Sequence, residues 1–285
     1  MKYLIALITL TLGLLLGPTT LRAQNSELGI NAGVSYYTGD LNPMGHFKPL
    51  KFAGGLHYKL NMNKRVSLRA SALYARVEAS DENALNINQI NRNLHFKSNI
   101  IEVGGIVEVN FFNYVIGEFK RYKPYSPYLF FGMTYFKMNP KGSYNDEYIE
   151  LQPLGTEGQG TSASQDKRYN LNQIAIPFGL GFKFNITRKM AMAFEYGVRK
   201  TFTDYLDDVS GSYVDPFILA SENGPVAAEM ADQSINQEGL QGTNTGMDRG
   251  NPYTKDWYFY SGGTLSFILG KEDKCRQNFG RKRFN

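Results

Sequence analysis

Three residues have the side chains that a hydrolytic relay requires, namely Ser35, His57 and Glu102. A serine hydroxyl becomes a nucleophile when a histidine accepts its proton and a carboxylate orients the imidazole. All three occupy the polar positions of segments in which apolar and polar residues alternate. A hydrolase of membrane lipid would need them on the opposite, apolar face, where lipid enters. We therefore expect a hydrogen-bonded structural histidine at position 57, and a lipid-modifying enzyme is an alternative.

Residues that bind metals are present, but they lack the spacing of metal-binding motifs. The three histidines, His46, His57 and His95, are too far apart to form a helical ligand pair. Four aspartates offer the oxygen ligands that calcium prefers, without the alternation and glycine of an EF-hand loop: Asp204, Asp207, Asp208 and Asp215. We expect loop-ordering hydrogen bonds there, with calcium as the alternative, and no cofactor. The single cysteine, Cys275, excludes an internal disulfide.

Two stretches rich in glycine, serine and threonine, 155–165 and 242–246, are predicted to be mobile loop segments. Neither follows a strand into a helix, as a phosphate-binding loop does, so nucleotide binding is not indicated. Between them, apolar residues at helical spacing predict a short amphipathic helix over 226–238. We expect this helix to cover a loop, and a docking surface is the alternative.

The N-terminus has the layout of a secretory signal peptide. Lys2 precedes an uncharged apolar run from Leu4 to Leu16, and a Gly17-Pro18 break leads to Leu21-Arg22-Ala23, after which cleavage is predicted. A helix of about thirteen residues, at roughly 1.5 Å per residue, cannot span a ~30 Å hydrocarbon core, so we predict that residues 1–23 are removed. The net charge then falls from +5 to +3 because Lys2 and Arg22 are lost. That charge is too small to indicate a nucleic-acid partner.

Alternation of apolar with small or polar residues recurs along the mature chain and predicts strands. Aromatic residues make up 14% of the chain, although the mean hydropathy is −0.36. Aromatic excess without apolar excess is typical of barrels with aromatic girdles at the membrane interfaces. The fifth strand is apolar on both faces, and its register is ambiguous. The predicted strands cover 28–36, 52–60, 66–74, 101–111, 128–136, 174–184, 190–198 and 257–269.

The connections between these strands alternate between long and short. The long ones cover 38–51, 79–95, 137–169 and 204–256, and the shorter ones cover 61–65, 113–125 and 185–189. Outer-membrane barrels have short periplasmic turns and long external loops, whereas nothing forces this pattern on a soluble barrel. The sequence therefore predicts an all-β fold, an eight-stranded antiparallel transmembrane β-barrel over 24–270. Its long loops are extracellular, both termini are periplasmic, and 271–285 form a basic periplasmic tail.

Charged residues on the polar faces of these strands give a second expectation. An eight-stranded barrel is just wide enough inside for side chains, so charges in its lumen must pair with one another. We expect a plugged lumen and no small-molecule substrate. The predicted network consists of four cations and three carboxylates: Lys59, Arg69, Lys183 and Arg199 with Glu102, Glu108 and Glu195.

Two strings at matching ends of the predicted barrel are more specific than the alternation. The first runs from Gly33 to Pro43, contains Gly39-Asp40-Leu41-Asn42, and fits the pattern Gly-x-x-x-Tyr-x-Gly-Asp-Leu. The second runs from Thr203 to Tyr213 and contains Asp204-Tyr205-Leu206-Asp207-Asp208. Together they resemble the signatures of PorG-type outer-membrane proteins of the type IX secretion system. The resemblance covers most of the mature chain. It implies that both strings order turns, with Gly39 permitting positive φ and Asp40 capping neighbouring amides.

The resemblance also implies partners and a role. It implies a noncatalytic outer-membrane component of the secretion machinery, attached to the periplasmic ring formed by the PorK lipoprotein and PorN. Because both strings lie at the predicted external end, we expect ring contact at the basic turn around Lys120 and Arg121 and at the tail. The tail residues predicted to bind a partner are Lys271, Lys274 and Arg276. An alternative is a surface barrel that acts as an adhesin or binds a ligand.

Overall fold

The computed structural model describes residues 26–164, 166–237 and 242–269. Eight long antiparallel strands close into one barrel, so the predicted fold class is confirmed. No helix within the described residues is long and apolar enough to cross a bilayer. The predicted signal peptide and basic tail lie outside the described residues. The barrel strands are β1 (Ser26–Thr38), β2 (Lys51–Asn61), β3 (Val66–Ser80), β4 (His95–Asn110), β5 (Tyr125–Lys137), β8 (Asn172–Asn185), β9 (Met190–Thr201) and β10 (Trp257–Leu269).

The barrel closes because β1 pairs along its whole length with β10, from Ser26 opposite Leu269 to Thr38 opposite Trp257. Each other barrel strand pairs with its neighbours in chain order, and β5 pairs directly with β8. The two short strands between them, β6 (Pro140–Tyr144) and β7 (Glu147–Glu150), form a hairpin that adds to the edge of β4 above the barrel. Closure leaves no open sheet edge along the barrel wall.

All four long connections lie at one end of the barrel, which we call the long-loop end, and the three short ones lie at the other, the short-turn end. The described parts of the long connections contain three α-helices: α1 (Ile87–Arg92), α2 (Pro216–Glu222) and α3 (Pro225–Ala231). The helix predicted over 226–238 corresponds to α3, which is shorter than predicted because it ends at Ala231. Asp232 leaves helical geometry at its C-terminus, with φ −133° and ψ 101°.

The outward face of the wall is an apolar belt. On β5, Leu129, Phe131, Met133 and Tyr135 are exposed while Tyr128, Phe130 and Phe136 are buried, which resolves the ambiguous register. From Tyr125 to Tyr135 the strand spans roughly 33 Å, and a tilt of about 40° gives a belt ~25 Å tall. No outward position of the described strands is charged within this belt. Its long-loop edge is marked by Lys51, Arg76, Lys97, Lys137 and Lys200.

The lumen has two layers. Near the short turns it contains the charged side chains that alternation predicts, but near the long loops it is apolar. There, inward residues of the extended β3 and β4, such as Val77, Phe96 and Ile100, pack against Leu206 and Val209 of the last long connection. This layer lies beyond the predicted strands 66–74 and 101–111, whose bounds are wrong here because β3 continues to Ser80 and β4 already begins at His95. Folded loops cover this extension of the barrel.

Candidate functional site

Glu108 on β4 is the centre of the lumen network. Its carboxylate is fully buried and lies 3.0 Å from Nζ of Lys59, 2.9 Å from Nζ of Lys183 and 3.2 Å from Nη1 of Arg69. Arg69 also donates to Glu195, which accepts a hydrogen bond of 2.5 Å from the Tyr128 hydroxyl. One carboxylate therefore holds three cations from three other strands, and it ties opposite walls of the barrel together.

A second ion pair lies closer to the long loops. Nε of Arg199 is 3.3 Å from Oε2 of Glu102, which also accepts a hydrogen bond of 2.5 Å from Tyr258. All seven predicted network residues are buried inside the barrel. An eighth member, Glu27, was not among the predicted residues; its carboxylate lies 3.7 Å from Nζ of Lys59. Glu27 lies two residues before Gly29 on β1, so alternation places both on the inward face, and this pattern could have identified it. With Glu27 included, four carboxylates balance four cations in the lumen.

The residues of the hydrolytic relay do not come together. His57 contacts Oδ1 of Asn31 at 2.9 Å through Nδ1 and the Ser266 hydroxyl at 3.3 Å through Nε2. Ser35 instead donates to the carbonyl of Arg76, and Glu102 is engaged as described above. The serine–histidine–asparagine order around His57 has the geometry of a relay, but its histidine is 2% exposed inside the wall. Both ring nitrogens of His57 are hydrogen-bonded in this buried position, as expected for a structural histidine.

The two strings that resemble PorG-type signatures meet in space at the long-loop end. The hydroxyl of Tyr37 donates to Asp207 and, at 3.1 Å, to Asp256. Asp207 also accepts from the amide of Leu41 at 3.3 Å, across 166 residues of sequence. Through its other oxygen, Asp207 caps the amide of Val209. We use the term loop cap for the packed unit formed by 39–42, 155–159, 204–211 and 249–256, in which 251–255 are exposed.

Gly39 and Asp40 order the loop cap in a way that differs from the expectation. Gly39 does not have positive φ. A Cβ at this position would collide with the hydroxyl of Tyr37 and Oδ1 of Asp256, so close packing requires the glycine. Asp40 caps the amide of Asn251, at 3.0 Å, and not an amide of its own turn. Asn42 does order its own loop, because its side-chain Nδ2 directs two N–H groups at three nearby carbonyls: Tyr37, Gly45 and Lys48.

Asp208 and Arg249 connect the last long connection to the third. The carboxylate of Asp208 accepts hydrogen bonds of 2.6 Å from Thr156 and Tyr169, and Arg249 lies 3.0 Å from Glu157. Residues 155–159 are buried, so the prediction that 155–165 is mobile is wrong for this part. The glycines there allow turns with positive φ, as at 155 and 158, and the turns pack inside the cap. In the second predicted mobile stretch, Asn244 is buried too.

Burial dominates the electrostatics of the loop cap. It raises the pKa of Asp207 well above the usual carboxyl range, and repulsion from Asp40 adds to the effect. Burial raises the pKa of Asp40 to about 6. For Asp208, burial outweighs the attraction of Arg249 and raises the pKa to about 6. The cap therefore favours protonated carboxyls.

The predicted aspartate cluster is distributed over several contacts. Asp204 accepts a hydrogen bond of 2.7 Å from Ser210, and Asp215 caps the start of α2 through the amide of Phe217. Tyr205 stacks on Tyr169 with ring centroids 4.5 Å apart. Within the described residues, no group of three acidic, histidine or cysteine residues has the geometry to hold a metal ion. These aspartates accept the loop-ordering hydrogen bonds that the sequence predicts.

Helix α3 packs into the loops around it. Its residues Ala227, Met230 and Ala231 are buried, and Ala227 and Ala231 pack with Leu219 of α2 and with Leu154. Its apolar face is thus already covered by the third and fourth long connections, as the loop-covering interpretation predicted.

Two other surfaces are open. At the short-turn end, Lys120 and Arg121 are exposed, and their backbone amides both donate to Glu118 at 3.1 Å. At the long-loop end, a groove with a volume of about 1240 Å³ lies between 41–49 and 78–96. Met44 and Leu85 line this groove and are 84% and 100% exposed.

Among solved structures, the chain is similar to three bacterial proteins of low sequence identity. Ail, the attachment invasion locus protein of Yersinia pestis, solved with the heparin analogue sucrose octasulfate, is 8% identical over 86% of this chain and 98% of its own, with a TM-score of 0.41. Neisserial surface protein A is 9% identical over 86% and 97%, with a TM-score of 0.41. A major outer membrane protein from Thermus thermophilus is 12% identical over 86% and 99%, with a TM-score of 0.40.

Comparisons of the sequence give a family but no function. None of the curated proteins matches the chain. The model of one family, described as a domain of unknown function, matches residues 4–218. This match covers most of the sequence, so the chain belongs to the DUF6089 family.

Proposed function

We propose that this protein is an integral outer-membrane barrel that serves as a noncatalytic anchor of the type IX secretion machinery, attached to the periplasmic PorK/PorN ring. The observation that carries the outer-membrane location is the uncharged apolar belt around a lumen in which four cations face four carboxylates. Apolar residues outside and paired charges inside suit a wall with lipid on one side only. A filled lumen leaves the two ends of the barrel as the working surfaces.

The secretion role rests on the resemblance of the two strings to PorG-type signatures. Their mutual contacts support the idea that they stabilise the barrel, because Leu41 and Asp207 are linked inside the loop cap. A scaffold needs a rigid body in the membrane and a free surface for its partner. The short-turn end supplies such a surface at Lys120 and Arg121, on the side that faces the periplasm in this orientation.

A cross-linking pull-down from intact outer membranes tests the role. We expect PorK and PorN to be recovered with the wild-type barrel, and recovery to fall at least tenfold after Lys120→Glu with Arg121→Glu and removal of 271–285. The matched control is Lys137→Glu with Lys200→Glu, which changes two cations at the long-loop edge. Wild-type membranes without PorK or PorN in the pull-down would refute the secretion role. Unchanged recovery from the variant would refute the assigned surface.

The membrane location has its own test. The mature chain should fold only in detergent or lipid and should migrate differently on gels before and after heating. A monomeric, folded chain in plain buffer would refute the location.

A second candidate is a surface barrel that binds a ligand, and the groove beside Met44 and Leu85 favours it. Replacing both by Asp should abolish cell-surface binding in an adhesin, whereas a periplasmic scaffold should keep secretion intact.

A further inference from the structure

The two ends of the barrel carry opposite charge. The short turns at 62–65, 111–124 and 186–189 contain seven Lys or Arg residues and one carboxylate, Glu118. The long connections at 39–50, 81–94, 138–171 and 202–256 contain eighteen carboxylates and seven Lys or Arg residues. A folded barrel thus presents a basic end and an acidic end, although its mature net charge is small.

The three short turns form one continuous surface. The amide of Tyr114 donates to the carbonyl of Lys64 at 3.0 Å, which joins the first and second turns. Gly117 packs against the backbone of Arg188 so closely that a Cβ would collide with its carbonyl, which joins the second and third. We call five cations on this surface the short-turn collar: Lys64, Arg65, Lys123, Arg188 and Lys189.

The collar lies at the depth where the apolar belt ends. Nζ of Lys123 is 3.8 Å from the ring centroid of Phe112 and 5.9 Å from that of Tyr125. Tyr125 in turn stacks at 5.9 Å on Phe182, a residue of the outward belt. In the two tight turns, Arg65 and Lys189 immediately precede the first residues of β3 and β9. Cations just outside an aromatic girdle stand at the level of lipid headgroups.

These cations have no acidic partner within the part of the chain that the structure describes, where every salt bridge involves other residues. At the corresponding edge near the long loops, Lys51 is paired with Glu78, and the connections beyond that edge carry an excess of carboxylates. Among the described residues, the collar therefore offers positive charge without a carboxylate partner around the perimeter, at the position of phospholipid phosphates. An acidic protein below the barrel would meet Lys120 and Arg121 in the middle of the longest short turn.

We propose that the short-turn collar binds the phosphates of anionic phospholipids in the leaflet that faces the short turns, and thereby fixes the depth of the barrel. This inference rests on the proposed membrane location. A single cation near a lipid surface favours anionic lipid by about fivefold, so five of them produce a clear preference.

The test uses the mature chain refolded into vesicles of phosphatidylcholine mixed with phosphatidylglycerol, with bound lipids identified by native mass spectrometry after release. The wild-type barrel should retain phosphatidylglycerol with at least ~5-fold enrichment, and added salt should reduce the enrichment. The collar variant replaces the five collar residues by Gln and should lose it. A milder variant, Lys123→Gln with Arg188→Gln, should lose part of it. The control replaces five cations of the long-loop end by Gln and should keep it: Lys48, Arg76, Lys97, Lys137 and Lys200.

Three results would overturn the inference while leaving the membrane location intact. They are an inserted wild-type barrel without lipid preference, a collar variant with unchanged enrichment, and a control variant that loses enrichment equally. A collar variant that loses only the capture of an acidic protein would assign the collar to that protein instead. If the wild-type chain does not insert into any vesicle, the proposed membrane location is wrong, and the lipid-binding proposal that rests on it is wrong too.

Discussion

Replacing Glu108 by Gln should be among the most destabilising single changes in this barrel. The substitution keeps the size of the side chain but removes the charge that holds Lys59, Lys183 and Arg69, at 3.0, 2.9 and 3.2 Å. Removing one partner of a buried ion pair costs about 3–5 kcal/mol, and here three cations lose their shared carboxylate. We therefore expect a loss near ~5 kcal/mol, which raises the unfolded fraction by more than ~1000-fold.

Urea unfolding of the refolded barrel, followed by the heat-dependent gel shift and by the fluorescence of Trp257, measures this loss. The chain has one tryptophan, so the fluorescence signal has a single origin. The matched control is Glu78→Gln, because Glu78 pairs with Lys51 where both side chains are about one-third exposed, at 31% and 32%. An exposed pair of this kind contributes about 0–1 kcal/mol.

A compensating substitution distinguishes lost charge balance from lost packing. In the Glu108→Gln background, Lys183→Met restores equal numbers of lumen cations and carboxylates, so it should recover part of the stability. If Glu108→Gln costs no more than Glu78→Gln, the lumen network does not stabilise the barrel and our reasoning is wrong.

Three further outcomes follow from the same geometry. Gly39→Ala should lower the free energy of unfolding in urea by about 1–3 kcal/mol, because the added methyl group collides with Tyr37. Gly105→Ala should lower it less, because a Cβ at position 105 has open space around it. Equal losses would contradict the packing argument. Burial raises the pKa of Asp208 to about 6, so its contribution to stability is fully present below about pH 4 and is lost as pH rises through 6. Proteolysis of the loop cap should be slower at pH 5 than at pH 7.5, and Asp208→Asn should weaken this dependence. In planar bilayers the barrel should show no single-channel steps, because side chains fill its lumen; regular steps would contradict the plugged lumen.

The sequence by itself determined the strands and their arrangement. Alternation has a period of two residues, so it is a local signal, and a wall with lipid outside leaves it intact along each strand. The lengths of the connections then fixed which strand ends share a side. The same alternation placed Lys59, Arg69 and Glu108 on the inward face of the barrel. Their pairing followed because the lumen of an eight-stranded barrel has no room for charges that are kept apart.

Only the tertiary structure decided the contents of the long-loop end. The contact between Leu41 and Asp207 joins residues 166 positions apart, and no periodicity records it. The family resemblance implied positive φ at Gly39, but its neighbours in space, Tyr37 and Asp256, set the requirement for glycine. Likewise, 155–159 has the composition of a mobile loop, yet burial against Asp208 and Arg249 fixes it. Local sequence reports the conformations that a segment prefers, whereas burial depends on what the rest of the chain packs against it.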